Sequence, residues 1–169
     1  PGYLLTEAQN INVIKDDTLE VEIYMKQKTR DLLFELTVKE GDPNRISNIT
    51  GTLSGIVGSF DLSSQRICGE AMNTSFPFAR TNDKVTAHTR LLGTTGLKQS
   101  LRIDLTFTDG SSQTIENDLT DLLKNFNDDM PTPMYITGDL LTPIEADMTA
   151  TIVGWENGNE ENGENIEIY

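Results

Sequence analysis

Apolar and polar residues alternate with a period of two along several segments of this chain. In the clearest segment, residues 101–108, Leu, Ile, Leu and Phe occupy the odd positions, and Arg, Asp, Thr and Thr occupy the even positions. This pattern is typical of a β-strand with one buried and one wet face. The Gly-containing turn 109–112 follows directly and predicts that residues 113–117 fold back as the second strand of a hairpin.

Further segments also read as strands. They are residues 19–25, 32–38, 49–58, 72–78, 85–92 and 148–155. The turn-forming sequence 41–44 ends the second of them, because Pro removes a backbone donor while Gly and Asn tolerate turn dihedral angles. Three glycines interrupt the segment 49–58, which predicts a bent strand with bulges or a close approach of another backbone.

One segment changes the period. Leucines and a phenylalanine recur at helical spacing over residues 119–126, and Asp118 stands where an N-cap accepts backbone N–H bonds. Pro131 and Pro133 end this short helix. Seven or more strands with one helix predict an all-β fold, an antiparallel Greek-key β-sandwich, while a closed barrel remains an alternative.

Length and charge limit the other classes of protein. The 169 residues fit a single sandwich domain, residues 1–155, followed by an acidic loop and a strand-like segment, residues 156–169. No apolar run approaches the roughly 20 residues that span a bilayer.

The net charge of −14 opposes binding to phosphate backbones, so nucleic acid is not an expected partner. Residues 127–169 hold ten Asp and Glu and no Lys or Arg, which is typical of a solvated surface.

The reactive residue types are few. Cys68 is the single cysteine, so it forms no disulfide within the chain. The single histidine, His88, is predicted to be a solvent-facing strand residue, opposite Val85 and Ala87. No hydrolase signature surrounds Cys68, and we predict no catalytic, cofactor-binding or metal-binding residue.

Two weaker ligand hypotheses concern the C-terminal third. The acidic pairs 128–129 and 160–161 could bind calcium weakly, although no EF-hand loop is present. Trp155, with Tyr135 or Tyr169, could form a platform for a sugar, but a lone Trp at a strand end is more often a lid on the core.

The chain ends in an alternating segment, Ile166, Glu167, Ile168 and Tyr169. Such a segment can add to an exposed sheet edge through backbone hydrogen bonds. Pairing within its own sheet is the simpler expectation, and pairing with a neighbouring subunit is the alternative.

Several short sequences together resemble the fimbrillin-associated anchor family of Bacteroidales, the FimB-like minor fimbrial proteins. In order along residues 29–155 they are Asp-Pro-Asn-Arg-Ile at 42–46, Ile-Thr-Gly-Thr-Leu-Ser-Gly at 49–55, Arg-Leu-Leu-Gly at 90–93, Leu-Thr-Phe-Thr-Asp-Gly at 105–110, Asp-Leu-Thr at 118–120, Lys-Asn-Phe-Asn at 124–127 and Ile-Val-Gly-Trp at 152–155.

The resemblance implies a transthyretin-like β-sandwich, the second of two such domains in a surface lipoprotein. Members of the family sit at the base of the fibre and are attached to the outer membrane by a lipidated N-terminal cysteine. This chain has no such cysteine, starts at Pro1 and lacks a full first domain, so we expect it to be the distal part of a longer precursor. The family has no catalytic residues.

We therefore predict a non-enzymatic fimbrial anchor or accessory domain at the bacterial cell surface, with fimbrial subunits as partners and no cofactor. A carbohydrate- or calcium-binding adhesin module is the main alternative. A glycoside-processing enzyme would need two facing carboxylates across a cleft.

Overall fold

The computed structural model describes residues 2–15, 18–144 and 148–158. In this part of the chain the strands form two main sheets and a two-stranded ribbon. The larger sheet has the spatial order β11 (Thr151–Gly158), β10 (Met134–Leu141), β3 (Arg30–Glu40), β7 (Lys84–Leu91) and β6 (Ala79–Thr81). The smaller sheet has the order β5 (Arg66–Pro77), β4 (Ile46–Asp61), β8 (Ser100–Phe107) and β9 (Ser112–Asp118). The ribbon pairs β1 (Leu5–Thr6) with β2 (Lys26–Gln27).

The two sheets bury one common core between them. The larger sheet contributes Phe34 and Leu36 from β3, and the smaller contributes Leu101, Ile103 and Leu105 from β8, all with at most 1% exposure. The apolar residues that alternate in 101–108 thus lie on the inner face of a strand, and the polar residues lie on its outer face. The predicted all-β sandwich is confirmed. Two separate layers favour the sandwich over the barrel, while the Greek-key and transthyretin-like details stay predictions.

Most of the predicted strands and turns are confirmed. The hairpin after Phe107 is present, and β9 pairs with β8 from Ser112 to Asp118. The segment 49–58 lies within β4, whose register with β5 shifts twice along its length. Gly55 has a φ of +70° at the first shift, a left-handed conformation that favours glycine.

Strand β10 was missed by the sequence reasoning, although it lies second from the edge of the larger sheet and pairs in parallel with β3. Its inward positions are Ile136, Gly138 and Leu140. The middle position is a glycine, where a Cβ would make tight contacts of 3.2 Å with Ile152 and Trp155 side-chain atoms. The apolar alternation is therefore interrupted at its centre.

The strand predicted over residues 19–25 is wrong. The described residues 18–25 form no strand, and their apolar side chains are exposed, with Leu19 at 57% and Ile23 at 48%. Strand structure in this region is limited to the short β2, which pairs with β1. Period-two alternation stabilises a strand only where a neighbouring strand and a second layer are available.

The predicted helix is shorter than its apolar spacing suggests. Helix α1 covers Thr120–Leu123, and turns follow it. The N-cap position is Leu119, which makes no capping side-chain hydrogen bond, so the N-cap predicted at Asp118 is wrong by one residue. The Asp118 side chain accepts a hydrogen bond from the Thr120 N–H at 3.0 Å. Leu119, Leu123 and Phe126 are nevertheless fully buried, so the spacing predicted burial correctly. In the described ranges, no helix has the length and apolar character needed to cross a bilayer.

Candidate docking surface

The β4–β5 hairpin extends past the rest of its sheet. Strand β8 pairs with β4 from Ile46 to Leu53, whereas β5 follows β4 as far as the pair Asp61 and Arg66. The distal half, residues 56–72, is therefore only two strands wide, and we call it the arm. Its outer strand is exposed from Arg66 to Asn73.

Local hydrogen bonds shape the tip of the arm. The carboxylate of Asp61 accepts hydrogen bonds from the hydroxyls of Ser64 and Ser63, both at 2.7 Å, and from the Ser63 N–H at 2.9 Å. These bonds stabilise the ionised form and lower the pKa of Asp61 to about 2. Gln65 completes the turn with a φ of +54°.

The base of the arm is tied to the body of the sandwich. The N–H of Val57 donates to the carbonyl of Gly93 at 3.0 Å, and the N–H of Thr95 donates to the carbonyl of Gly55 at 2.9 Å. The amide of Asn127 makes two further bonds to the backbone of Thr94, both at 2.9 Å. These bonds fix the arm against the loop that follows β7.

A groove of about 370 Å³ lies between the arm and the body of the sandwich. Its apolar lining comes from Phe60 and Ile67 of the arm and from Leu92 and Met130 of the body. Its polar lining comes from Lys28, Gln65, Arg66 and Asn127. The ammonium of Lys28 lies 5.5 Å from the centroid of the Phe60 ring, within range of a cation–π interaction. A peptide segment with an apolar side chain fits such a surface.

A buried ionic cluster lies on the outer face of the larger sheet. The carboxylate of Asp31, with a side chain 3% exposed, accepts hydrogen bonds at 2.8 Å from Nε2 of His88, Nε of Arg90 and the hydroxyl of Tyr3. Burial alone would raise the pKa of Asp31, but these hydrogen bonds and the charge of Arg90 outweigh it and lower that pKa. The Arg90 guanidinium also lies 3.7 Å from the Tyr3 ring centroid.

This cluster corrects the prediction for His88. The residue lies on the face that the sequence indicated, yet its side chain is only 26% exposed and is bonded to Asp31. The N-terminal segment causes the difference, because Tyr3 reaches Asp31, and the Lys28 N–H donates to the Leu4 carbonyl at 2.8 Å. Cys68 lies exposed on β5 of the other sheet.

A buried arginine fixes the body side of the groove. Arg30 is 7% exposed, and its guanidinium donates to the carbonyls of Thr132 at 2.5 Å, Phe126 at 2.8 Å and Asn125 at 3.1 Å. Burial lowers the pKa of Arg30, while the charges of Asp129 and Asp128 oppose that effect. The arginine thus holds the segment after α1, which includes the groove residues Asn127 and Met130, against β3.

Trp155 is a partly buried lid on the core. It packs against the core residues, and its indole N–H donates to the side-chain oxygen of Asn117 at 2.8 Å. Tyr135 lies on the neighbouring strand β10, where it pairs with Gly158 of β11. Within the described residues, no group of three or more His, Cys, Asp or Glu side chains is arranged to hold a metal ion.

Two predicted elements cannot be placed. The segment Ile166, Glu167, Ile168 and Tyr169 and the pair 160–161 lie outside the described residues. Strand β11 runs to Gly158, three residues past the predicted end of the domain at 155. The division at that boundary stays a prediction.

The groove joins residues that no local sequence pattern connects. Lys28 stands in a basic connection and Phe60 at the end of β4, far from Leu92 and Met130 along the chain. The apolar residues Phe60 and Ile67 were a local signal, since they lie outside the predicted strand segments 49–58 and 72–78 and do not belong to the core.

The fold is a two-sheet β-sandwich domain with a groove between its arm and its body. The family model described as Fimbrillin-A associated anchor proteins Mfa1 and Mfa2 matches residues 1–161. The chain belongs to this family, as the resemblance in the sequence indicated.

Solved structures share the fold at low sequence identity. A candidate adhesin from Bacteroides ovatus superposes with a TM-score of 0.59 and 13% identity, over 84% of this chain and 54% of that one. A candidate cell adhesion protein from Bacteroides fragilis gives 0.51 and 17%, over 85% and 49%. The fimbrial anchor protein Mfa2 from Porphyromonas gingivalis gives 0.52 and 15%, over 79% and 47%. This chain thus spans about half the length of these structures. No curated protein sequence matches it.

Proposed function

We propose that this chain is a docking domain of a fimbrial anchor or accessory protein at the bacterial cell surface, with no catalytic step. The family match over residues 1–161 carries the proposal. The partners are fimbrial subunits, and the domain acts mechanically by holding them. The two Bacteroides neighbours, described as candidate adhesion proteins, support the same surface role.

The groove beside the arm is the docking surface that the structure favours. It combines an apolar lining with a supporting frame, since Arg30 fixes one wall and backbone bonds at Gly93 and Gly55 fix the base of the other. A preorganised surface loses little conformational entropy on binding. Ile67 is 37% exposed on the arm and is available for contact with a subunit.

The remaining parts of the proposal concern regions outside the described residues. The parent protein is attached to the outer membrane through a lipidated N-terminal region that is not in this chain. The segment 166–169 adds to a sheet edge, either of its own domain or of a neighbouring subunit. If the segment pairs with a sheet of its own domain, deleting residues 165–169 should leave binding to fibre subunits unchanged.

Binding of the domain to purified fimbriae tests the proposal. Fimbriae from a strain carrying this protein are immobilised, and association of the wild-type domain is measured by biolayer interferometry. Ile67→Ser should weaken binding about tenfold because it removes apolar contact area from the groove. Val153→Ser, at a 45% exposed position on β11, is the matched control and should bind normally. A wild-type domain that fails to bind fimbriae would refute the proposed function.

A calcium titration distinguishes a calcium-binding adhesin module from the proposed anchor domain. An ion that binds only the folded state raises the melting temperature in proportion to the logarithm of its concentration. The anchor proposal expects the same melting temperature with calcium and with a chelator. A calcium-dependent increase would favour the adhesin module.

A further inference from the structure

The groove gathers positive charge on a strongly negative protein. The chain has 27 acidic and 13 basic residues. Two of those basic residues, Lys28 and Arg66, nevertheless line the same groove, one from the body and one from the arm. Their convergence brings two cationic side chains to one binding surface.

Neither cation is neutralised by an ion pair within the described ranges. Glu7, whose pKa is lowered first by its hydrogen bond to Lys26 and to a smaller extent by the charge of Lys28, forms its ion pair with Lys26 at 3.0 Å. The two groove cations are therefore available to a carboxylate from outside. Such a carboxylate would gain charge-assisted hydrogen bonds from both.

Gln65 is another polar residue of the groove. The side-chain oxygen of Gln65 is buried and, among the described residues, has no hydrogen-bond partner, whereas its amide nitrogen donates to the Leu62 carbonyl at 2.7 Å. A buried acceptor without a donor is unfavourable. Gln65 adds polar lining to the groove beside Arg66, and its buried oxygen is not open to a ligand.

We propose that this groove binds an extended segment of a fimbrial subunit in which an acidic residue adjoins an apolar residue. The apolar side chain packs on Phe60, Ile67, Leu92 and Met130, and the carboxylate beside it meets Lys28 and Arg66. The inference rests on the proposed function, because it names the chemistry of the subunit segment that docks there.

Two synthetic peptides of roughly nine residues test this chemistry. One carries a single glutamate beside a valine in an otherwise neutral sequence, and the matched peptide carries glutamine in place of that glutamate. Fluorescence anisotropy should show about tenfold tighter binding of the glutamate peptide at low salt, with the preference reduced near 0.3 M salt by screening. Equal binding of the two peptides, or no binding, would overturn the inference.

Two double variants test whether the preference for the glutamate peptide depends on the groove. The double variant Lys28→Gln/Arg66→Gln should lose the preference for the glutamate peptide. Its unchanged melting temperature would show that it is folded. Lys98→Gln/Lys124→Gln removes two exposed cations that do not line the groove and should retain the preference. A preference that survives in the Lys28/Arg66 variant contradicts the inference.

The same variants on immobilised fimbriae separate the two proposals. Weaker binding by the Lys28/Arg66 variant supports both. Equal binding by the wild type and that variant overturns the acidic-segment inference and leaves the proposed function standing. No binding by the wild type overturns the proposed function and, with it, the subunit as the partner.

Discussion

Nε2 of His88 lies 2.8 Å from Oδ1 of Asp31, across the antiparallel pair of β3 and β7. Arg90 and Tyr3 bind the same carboxylate, and the group connects the N-terminal segment to the outer face of the larger sheet. The carboxylate has three donors and almost no contact with solvent. Its ionised form is therefore favoured by the fold.

The Asp31 carboxylate should make stability depend on acidic pH. The folded state lowers its pKa below the value in the unfolded chain, so the stabilisation is present above the unfolded pKa of about 4 and is lost as the pH falls through the lower folded value. Asp31→Asn should lower the free energy of unfolding at pH 7 and flatten its decline below about pH 4.

Urea unfolding at several pH values measures this effect. Asp83→Asn, at an exposed position in the turn after β6, is the matched control and should keep the wild-type pH profile. An unchanged profile for Asp31→Asn would show that the cluster does not stabilise the ionised carboxylate.

Arg30 should be a strong determinant of stability. Arg30→Met keeps much of the side-chain volume but leaves three backbone carbonyls without their charged donor. We expect a loss of about 2–4 kcal/mol in the free energy of unfolding. Denaturant unfolding measures it, with Arg102→Met, at an exposed arginine on β8, as the control. A loss equal to that of the control would contradict the role assigned to Arg30.

Gly51 should not tolerate a side chain. A Cβ at this position would lie 2.7 Å from the ring of Phe76 and 2.8 Å from that of Phe78. These rings pack with Phe34 in the core, at centroid distances of 5.6 and 6.0 Å. Gly51→Ala should therefore cost about 1–3 kcal/mol through overpacking.

A thermal melt compares this variant with Gly2→Ala, where the added Cβ meets no atom within 4 Å. Only the Gly51 variant should melt at a lower temperature. Equal melting temperatures would mean that the two rings move aside without cost.

Trp155 and Asn117 should be energetically coupled. Their 2.8 Å hydrogen bond joins β11 of one sheet to β9 of the other. Trp155→Phe and Asn117→Ala should each destabilise the fold, and a double-mutant cycle should return a coupling energy of about 0.5–1.5 kcal/mol. Strictly additive effects in denaturant unfolding would show that the bond adds nothing to stability.

The periodicity of the sequence determined the all-β class and most strands, because side-chain alternation is a local property that burial on one face requires. The choice of a two-layer sandwich over a closed barrel came from the structure. The hairpin at Asp109 and the bent strand β4 follow from the same local rules. The family resemblance likewise depended on short local sequences.

Only the tertiary structure decided which alternating segments have a partner. Residues 18–25 alternate without pairing, whereas β10 pairs between β3 and β11 although Gly138 interrupts its pattern. Tertiary contacts also decided the surroundings of His88, which depend on Tyr3. They likewise formed the groove, which Lys28 and Arg66 both line. These contacts link residues far apart in the chain, and the local pattern contains no information about which distant backbone will cover a given face.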